Sequence, residues 1–170
     1  AVCHQFGEPL LVETVQLRAP QGGEVEVKLG AVAVCHSDIS YAEGDWGGTL
    51  PAVYGHEAAG IITESGNSVI GLSVGDRVVV TMVRACGHCS PCGSGRPSIC
   101  ETRYDKDTGP LSTKEGGTLE HGLNCGAFAE KVVVDHSQVV KIPDYLNYDV
   151  AALLACGVIT GVGAVVNSAN

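Results

Sequence analysis

Aromatic residues and positive charges are scarce in this sequence. Only 5% of its 170 residues are aromatic, and 10 Lys and Arg stand against 19 Asp and Glu, which gives a formal net charge of −9. Proteins that bind nucleic acid usually carry a basic patch or stripe on one face. We therefore expect no nucleic acid partner.

A long apolar run is missing as well. The most apolar segment, residues 150–166, has no charged side chain but is shorter than the roughly 20 residues that a membrane-spanning helix needs. Because glycines interrupt it, we expect two buried or interface helices with a break near Cys156, and no membrane span. The chain opens at Ala1 without an apolar run behind a positive start, so we expect a cytoplasmic protein.

Short runs rich in valine and other small apolar residues are the commonest feature of the chain. The sequence is 45% hydrophobic and contains 23 Gly, which suits one β-rich domain with many turns and a real core. Alternating or continuous apolar runs predict strands. The predicted strands cover residues 10–17, 24–34, 58–65, 76–82, 127–134 and 138–142.

Helices are expected in two places. A short one is predicted over residues 36–41, and a second is predicted to start after Asn147, a residue type that caps helices, and to run to about Cys156. Residues 103–124 are polar and rich in glycine, so we expect an excursion on the surface there.

Eight cysteines are the most informative residues, and four of them lie close together. Without a visible leader, clustered cysteines indicate metal ligands more readily than a disulfide framework. Four thiolates close a tetrahedral zinc site completely, which is typical of a structural metal. A redox pair and an iron–sulfur cluster are weaker alternatives, because Pro91 and Gly93 disfavour a helix at the pair and the last spacing is too long for the bacterial cluster pattern. The four are Cys86, Cys89, Cys92 and Cys100.

A second set of metal-binding residue types is spread along the chain. Cys35 and His56 are interpreted as two ligands of a catalytic zinc, and Cys156 is expected to be the third, which leaves the fourth position open. Asp38 and Glu57 lie beside these ligands in sequence. We expect them to orient the ligands rather than to be ordinary surface acids.

Taken in order and with their spacing, these motifs resemble the zinc-dependent medium-chain alcohol dehydrogenases. The resemblance implies a mainly β fold, a GroES-like partly open β-barrel with short helices at its C-terminal end and a zinc-binding cysteine lobe at residues 84–101. It also implies a catalytic domain over residues 1–156, with residues 157–170 starting the connection to a Rossmann domain that the sequence lacks. We therefore expect a fragment of a longer dehydrogenase.

The resemblance also implies roles for single residues. Ser37 resembles the hydroxyl that takes the alcohol proton, and His36 and Thr160 resemble residues that contact the cofactor pyrophosphate and nicotinamide. Trp46 is similar to an aromatic residue that lines the substrate pocket. A histidine that completes the proton relay in many members is replaced by Ser40, so proton release through water is expected instead.

The activity that the resemblance implies is oxidation of an alcohol to an aldehyde or ketone by hydride transfer to NAD or NADP, with two zinc ions per chain. Cys156 as third ligand favours simple alcohols. The expected partners are a small alcohol or aldehyde, the Rossmann domain of the same protein and, at full length, further copies of the protein in a homo-oligomer. Two other functions stay open: a zinc hydrolase with Glu57 as base, and a non-catalytic GroES-like structural module.

The remaining histidines and cysteines have simpler interpretations. Cys3 and Cys125 are expected to pack in the interior, because a free cysteine behaves as a small hydrophobic residue. The histidines outside the zinc pattern are expected on the surface. They are His4, His88, His121 and His136.

Overall fold

The computed structural model describes residues 1–102 and 109–169, and in that part the chain is mainly β. Its strands are β1 (Val15–Leu17), β2 (Glu24–Ala33), β3 (Ala52–Val53), β4 (Glu57–Ser65), β5 (Arg77–Val80), β6 (Leu111–Thr113), β7 (Glu120–His121), β8 (Lys131–Asp135) and β9 (Val139–Lys141). Its helices are α1 (His36–Glu43), α2 (Ser90–Gly93), α3 (Tyr148–Leu153) and α4 (Gly157–Asn167).

An antiparallel sheet with the strand order β8-β2-β4-β5-β9 forms the framework. Val25 and Val27 of β2 point to one face, where they join the largest buried cluster together with Ile62 and Val78 from the neighbouring strands. Burial of these side chains stabilises the sheet because it removes apolar surface from water. Two short sheets, the antiparallel pair β1-β6 and the parallel pair β3-β7, complete the described part of the fold. The sheets in that part are open and do not close into a barrel.

Helix α3 covers the other face of the sheet. Ala151 and Ala152 pack against Ala59 of β4. Gly30 of β2 makes room for this packing, since a Cβ atom there would lie 2.2 Å from the ring of Tyr148. The small residues therefore bring the end of α3, and Cys156 after it, close to the sheet.

The register of the central strands brings two distant segments together. Ala33, the last residue of β2, pairs with Glu57, the first residue of β4. Cys35 follows β2 and His56 precedes β4. Both predicted ligands are therefore carried to the same edge of the sheet.

Most predicted strands agree with the structure, but the one over residues 127–134 begins only at Lys131, and that over residues 10–17 is also wrong in its extent. Only Val15–Leu17 is a strand, and Leu11 makes an isolated bridge to Val2. Val12 is 91% exposed. The apolar and polar residues alternate here in an exposed segment, and this gives the same sequence pattern as a half-buried strand.

The surface excursion predicted over residues 103–124 is wrong for its second half, while residues 103–108 lie outside the described part. Leu111 and Leu119 are buried in a cluster with Val2 and Val53. The backbone there forms β6 and β7. The polar and glycine-rich composition hid these strands because each is only two or three residues long.

The break between α3 and α4 near Cys156 is as predicted, and α4 starts at Gly157. The expectation that Pro91 and Gly93 prevent a helix is wrong, since Ser90–Gly93 is helical. Proline is tolerated in the first turn of a helix, where its missing N–H is not needed. Within the described residues, no helix has both the length and the apolar character needed to cross a membrane.

Candidate active site

One carboxylate organises the edge of the sheet where β2 ends and β4 begins. Asp38 is 3% exposed and accepts hydrogen bonds from the backbone N–H of Cys35 at 3.0 Å and of Gly55 at 2.9 Å. It also lies 3.1 Å from Nδ1 of His56. The reach back to Cys35 closes the first turn of α1 in the manner of a capping box. Asp38 therefore fixes both segments relative to each other.

The predicted ligands of the catalytic zinc are brought together. The sulfur atoms of Cys35 and Cys156, a ring nitrogen of His56 and a carboxylate oxygen of Glu57 all lie within 4.8 Å of one another. Cys35 and Cys156 are 121 positions apart in the chain, so the packing of α3 on the sheet makes this convergence. Thiolate, imidazole and carboxylate form a donor set that suits zinc.

The buried ring of His56 supports a metal at this point. His56 is fully buried, and its Nε2 atom has no hydrogen-bond partner, while Nδ1 faces Asp38. A buried polar atom without a partner destabilises the fold. A ligating histidine usually has this arrangement, with one nitrogen on a carboxylate and the other on the metal.

Charge in the cluster favours a cation as well. Burial raises the pKa of the Cys156 thiol, and the nearby Cys35 and Glu57 raise it further. Three groups that each become negative on ionisation therefore oppose one another in the absence of a positive ion. A bound zinc ion reverses this balance, since zinc is bound by the thiolate form.

Glu57 lies close enough to the two sulfur atoms and to His56 to be a metal ligand itself. It is 4% exposed, so an ordinary surface acid is excluded, and its carboxylate is placed as a fourth donor beside the two sulfurs and His56. Its other contact is with the start of α4, where a Cβ atom on Gly157 would lie 3.7 Å from the carboxylate.

The other predicted site residues lie around this donor set. The Ser37 hydroxyl is 3.7 Å from the Cys35 sulfur, and Thr160 places its hydroxyl 4.0 Å from the Cys156 sulfur. His36 and Thr160 are exposed, whereas Ser40 is buried. The structure thus leaves polar side chains of α1 and α4 accessible near the cluster.

The four remaining clustered cysteines form a separate group. Their sulfur atoms lie within 4.8 Å of one another, with 4.0 Å between Cys86 and Cys92 and 3.9 Å between Cys89 and Cys100. With Zn–S bonds of about 2.3 Å, the edge of a tetrahedron of sulfurs is about 3.8 Å. A hydrogen bond from Thr102, with others from backbone N–H groups, lowers the pKa of Cys86 to about 5 and favours the thiolate. The geometry fits one metal ion.

A cavity of about 280 Å³ lies beyond the second turn of α1. Tyr41 and Tyr54 line it, with their ring centres 5.8 Å apart in a stacked arrangement. Met82 and the segment from Glu120 to Asn124 line it as well. The sequence did not reveal this cavity. Tyr41 follows Ser37 by one helical turn, which is the only local signal for it.

The Trp46 side chain is 57% exposed and meets Tyr41 edge to face, with ring centres 5.2 Å apart. It therefore lies next to a residue of the cavity wall. Its role in a substrate pocket stays a prediction.

The prediction of a surface position is wrong for His121. Its Nε2 atom is buried without a hydrogen-bond partner, and burial lowers the pKa of its imidazole to about 4. The chain crosses closely above the ring, since a Cβ atom on Gly126 would lie 2.7 Å from it. The structure places His4, His88 and His136 on the surface and buries Cys3 and Cys125, as predicted.

Comparison with known proteins identifies the fold. The family model of the alcohol dehydrogenase GroES-like domain matches residues 21–144. The chain belongs to this family. The resemblance inferred from the motifs is thereby confirmed, and the open, mainly β architecture of the chain is that of a GroES-like domain.

Two solved structures resemble this GroES-like domain over 99% of its length. One is an alcohol dehydrogenase zinc-binding domain protein from Burkholderia ambifaria, with a TM-score of 0.91, 34% identity and 48% of that chain covered. The other is the benzyl alcohol dehydrogenase from Acinetobacter calcoaceticus, with a TM-score of 0.86, 32% identity and 47% of that chain covered.

Curated relatives give a consistent result. An S-(hydroxymethyl)glutathione dehydrogenase from Synechocystis sp. is 37% identical over all of this chain and 48% of its own length. An NDMA-dependent alcohol dehydrogenase from Amycolatopsis methanolica is 37% identical over 95% of this chain and 45% of its own length. The GroES-like domain thus spans about half the length of the curated relatives it matches.

Proposed function

We propose that this chain is the catalytic domain of a zinc-dependent alcohol dehydrogenase, which oxidises an alcohol to an aldehyde or ketone by hydride transfer to NAD or NADP. The convergence of Cys35, His56 and Cys156, with Nε2 of His56 buried and unpartnered, carries this proposal. Similar proteins named as alcohol dehydrogenases support it. We expect the nicotinamide to bind to a Rossmann domain that lies beyond this chain.

Two zinc ions per chain are proposed, one at each group of donors. The first site supplies Lewis-acid polarisation of an alcohol or aldehyde oxygen when its zinc is bound. Asp38 accepts a hydrogen bond from Nδ1–H of His56, which directs Nε2 to the metal position. The four cysteines of the lobe leave no open position, so their ion serves structure.

Ser37 and its surroundings handle the proton of the alcohol in this proposal. The Ser37 hydroxyl lies beside the donor set and relays the proton: its oxygen accepts the alcohol proton as its own O–H proton passes on to water. Ser40, at the position of the usual relay histidine, is buried and cannot be protonated near neutral pH. Water at the exposed side of α1, near His36, then carries the proton away.

The substrate pocket is proposed to include the cavity behind α1. Its volume of about 280 Å³ is at the small end for a ligand pocket. Tyr41, Tyr54, Met82 and Leu123 offer apolar surface for a short carbon chain, and Glu120, His121 and Asn124 add polar groups, which suits a small alcohol. Trp46 extends the wall toward solvent, and His36 and Thr160 are placed to contact the cofactor.

The experiment uses the full-length natural polypeptide that contains this sequence. We expect two zinc ions per chain and alcohol-dependent reduction of NAD or NADP, assayed side by side. Ser37→Ala should lower kcat/KM by a factor of about 10² to 10⁴ without loss of zinc. One zinc, held by the lobe alone, with no hydride transfer would identify a structural module. Ester or peptide cleavage without hydride transfer would identify a hydrolase.

We also propose that the full-length protein is a cytoplasmic homo-oligomer. None of the eight cysteines, all of which lie in the described residues, forms a disulfide, which suits a reducing compartment. Sedimentation of the zinc-loaded protein should give a multiple of the chain mass, and cell fractionation should recover it with cytoplasmic markers. A monomer, or recovery from an oxidising compartment, would contradict these two points respectively.

A further inference from the structure

Two walls of the cavity are connected through one buried side chain that lines neither of them. Gln138 is 2% exposed. Its Nε2 donates hydrogen bonds to the carbonyl oxygens of Thr81 at 3.0 Å and of Asn124 at 2.9 Å. Thr81 is the residue before Met82, and Met82 and Asn124 both line the cavity. The amide thus spans the gap between the two walls.

The wall on the Asn124 side has an unusual backbone. Leu123 and Asn124 have φ values of 54° and 57°, in the left-handed region. A bulky residue such as leucine rarely adopts this conformation, and it persists only where surrounding contacts hold it. Gln138 supplies one such contact directly, and Cys125 supplies another by donating to the Thr81 carbonyl at 3.2 Å.

Gln138 is itself held firmly. Its Oε1 accepts a hydrogen bond from the N–H of Asp135 at 3.3 Å, and its own carbonyl accepts from the N–H of Thr81 at 2.9 Å. The end of the side chain and the backbone of Gln138 are thereby both fixed to the main sheet. Because a buried amide keeps its position only when its donors and acceptor are satisfied, the side chain acts as a spacer of fixed length.

We propose that Gln138 is a positioning residue that sets the width of the substrate cavity by holding Thr81 and Asn124 at a fixed separation. This inference rests on the proposed function, in which the cavity receives the carbon chain of the alcohol. The amide contacts neither substrate nor metal. It acts through Met82 and Leu123, so it governs which alcohols fit rather than whether oxidation occurs.

The test compares Gln138→Met with Thr63→Val in the full-length protein. Met has a similar length but no donor, so both hydrogen bonds to the walls are lost. Thr63→Val removes a hydrogen bond of 2.6 Å to Glu26, at the far end of the sheet, and keeps the side-chain shape. We measure kcat and KM for ethanol, 1-hexanol and benzyl alcohol, together with zinc content.

We expect Gln138→Met to change the ratio of kcat/KM between 1-hexanol and ethanol by about tenfold or more, mainly through KM. One methylene of misfit against apolar side chains, here Met82 and Leu123, has an effect of that size. Zinc content should not change. The ratio for Thr63→Val should equal that of the parent. A ratio for Gln138→Met that also equals the parent, with any loss spread evenly over all alcohols, would show a merely structural role and overturn the proposal.

A crystal structure of the Gln138 variant gives a readout without activity. Leu123 should leave the left-handed region, and the separation between Met82 and Leu123 should change. Should Gln138→Met not fold, Gln138→Asn is used, since it keeps an amide that is too short to reach both carbonyls. An inactive parent would refute the proposed function alone, whereas an unchanged Leu123 backbone in the variant would refute the role of Gln138.

Discussion

Asp38 shows how much a single residue determines at this site. Its two oxygens receive the N–H groups of Cys35 and Gly55 and face the ring of His56. The start of α1, the loop before β4 and one imidazole therefore depend on one buried carboxylate. Interactions of this kind with a metal ligand typically contribute a factor of about 10 to 100 in metal affinity.

Asp38→Asn should weaken zinc binding at the Cys35 site by about 10-fold to 100-fold, because an amide accepts with one oxygen only and leaves one N–H group unpaired. Competition with a chelator of known affinity measures this, and the lobe ion should stay bound. Asp45→Asn is the matched control, since Asp45 is exposed in the loop after α1. Equal zinc affinity in both variants would contradict the role given to Asp38.

His121 predicts a pH dependence of stability. Burial lowers the pKa of this imidazole in the folded chain to about 4, against about 6.5 for an exposed histidine. Between these values the unfolded chain binds more protons, so the free energy of unfolding is highest above pH 6.5 and falls as the pH drops toward 4. The His121 contribution between pH 7 and pH 5 is about 2 kcal/mol.

Urea unfolding at pH 7 and pH 5 measures this contribution. His121→Phe should reduce the difference in the free energy of unfolding between the two pH values, because phenylalanine does not titrate. If His121→Phe keeps the full difference, His121 is not the group that titrates.

At the scale of elements, the pairing of β2 with β4 leaves no room at Gly60. A Cβ atom there would lie 2.1 Å from the backbone oxygen of Lys28, at the point where the register of the two strands shifts. Gly60→Ala should therefore lower the free energy of unfolding by at least the ~1–3 kcal/mol typical of overpacking.

Gly161→Ala is the control for this substitution. Gly161 lies inside α4 with open space around its Cα, so alanine should favour the helix by up to about 1 kcal/mol. Chemical denaturation of both variants gives the comparison. If Gly60→Ala lowers the free energy of unfolding by no more than the change measured for Gly161→Ala, β2 and β4 can move apart at Gly60 without cost.

The sequence predicted the elements whose cause is local. β2, β4 and β9 have alternating or continuous apolar residues, and α1 follows directly from the residues that cap it. β3 and β7 are only two residues each and pair with one another across 68 positions, so no local pattern defines them. The short helix α2 was missed because two helix-breaking residue types stand where the first turn tolerates them.

The same division holds for the site. The two donor groups that include Cys35, His56 and the lobe cysteines could be predicted from residue type and spacing, since the side chains that bind metals are few. Gln138 and the left-handed Leu123 carry no such signal. Their part in the cavity depends on contacts across 14 and 57 positions, which only the folded chain reveals.

At the scale of the whole molecule, the two groups of donors should connect metal binding to folding differently. An ion that binds only the folded chain raises its stability by mass action. The lobe donors lie within 15 residues, from Cys86 to Cys100, whereas the other set joins both ends of the domain. Zinc bound by Cys35, His56 and Cys156 should therefore link the end of α3 to the sheet, and zinc in the lobe should stabilise mainly the lobe.

Adding zinc to the metal-free chain should raise its Tm, and Cys156→Ser should remove most of this rise. Cys89→Ser should instead make residues 84–101 sensitive to limited proteolysis, with a smaller loss in Tm. Cys3→Ala serves as the control, because Cys3 is buried outside both donor groups. An equal loss of Tm for Cys156→Ser and Cys89→Ser would refute this division.

The wide separation of Cys156 from its partners also affects how a newly made chain acquires its metals. All four cysteines of the lobe have been synthesised once Cys100 is added, whereas the other donor set needs 56 more residues to include Cys156. The nascent chain can therefore bind an ion in the lobe first. Until Cys156 has been synthesised, Cys35 and His56 lack their third partner. During that time the Cys35 thiol is open to oxidation, and both side chains are open to binding copper.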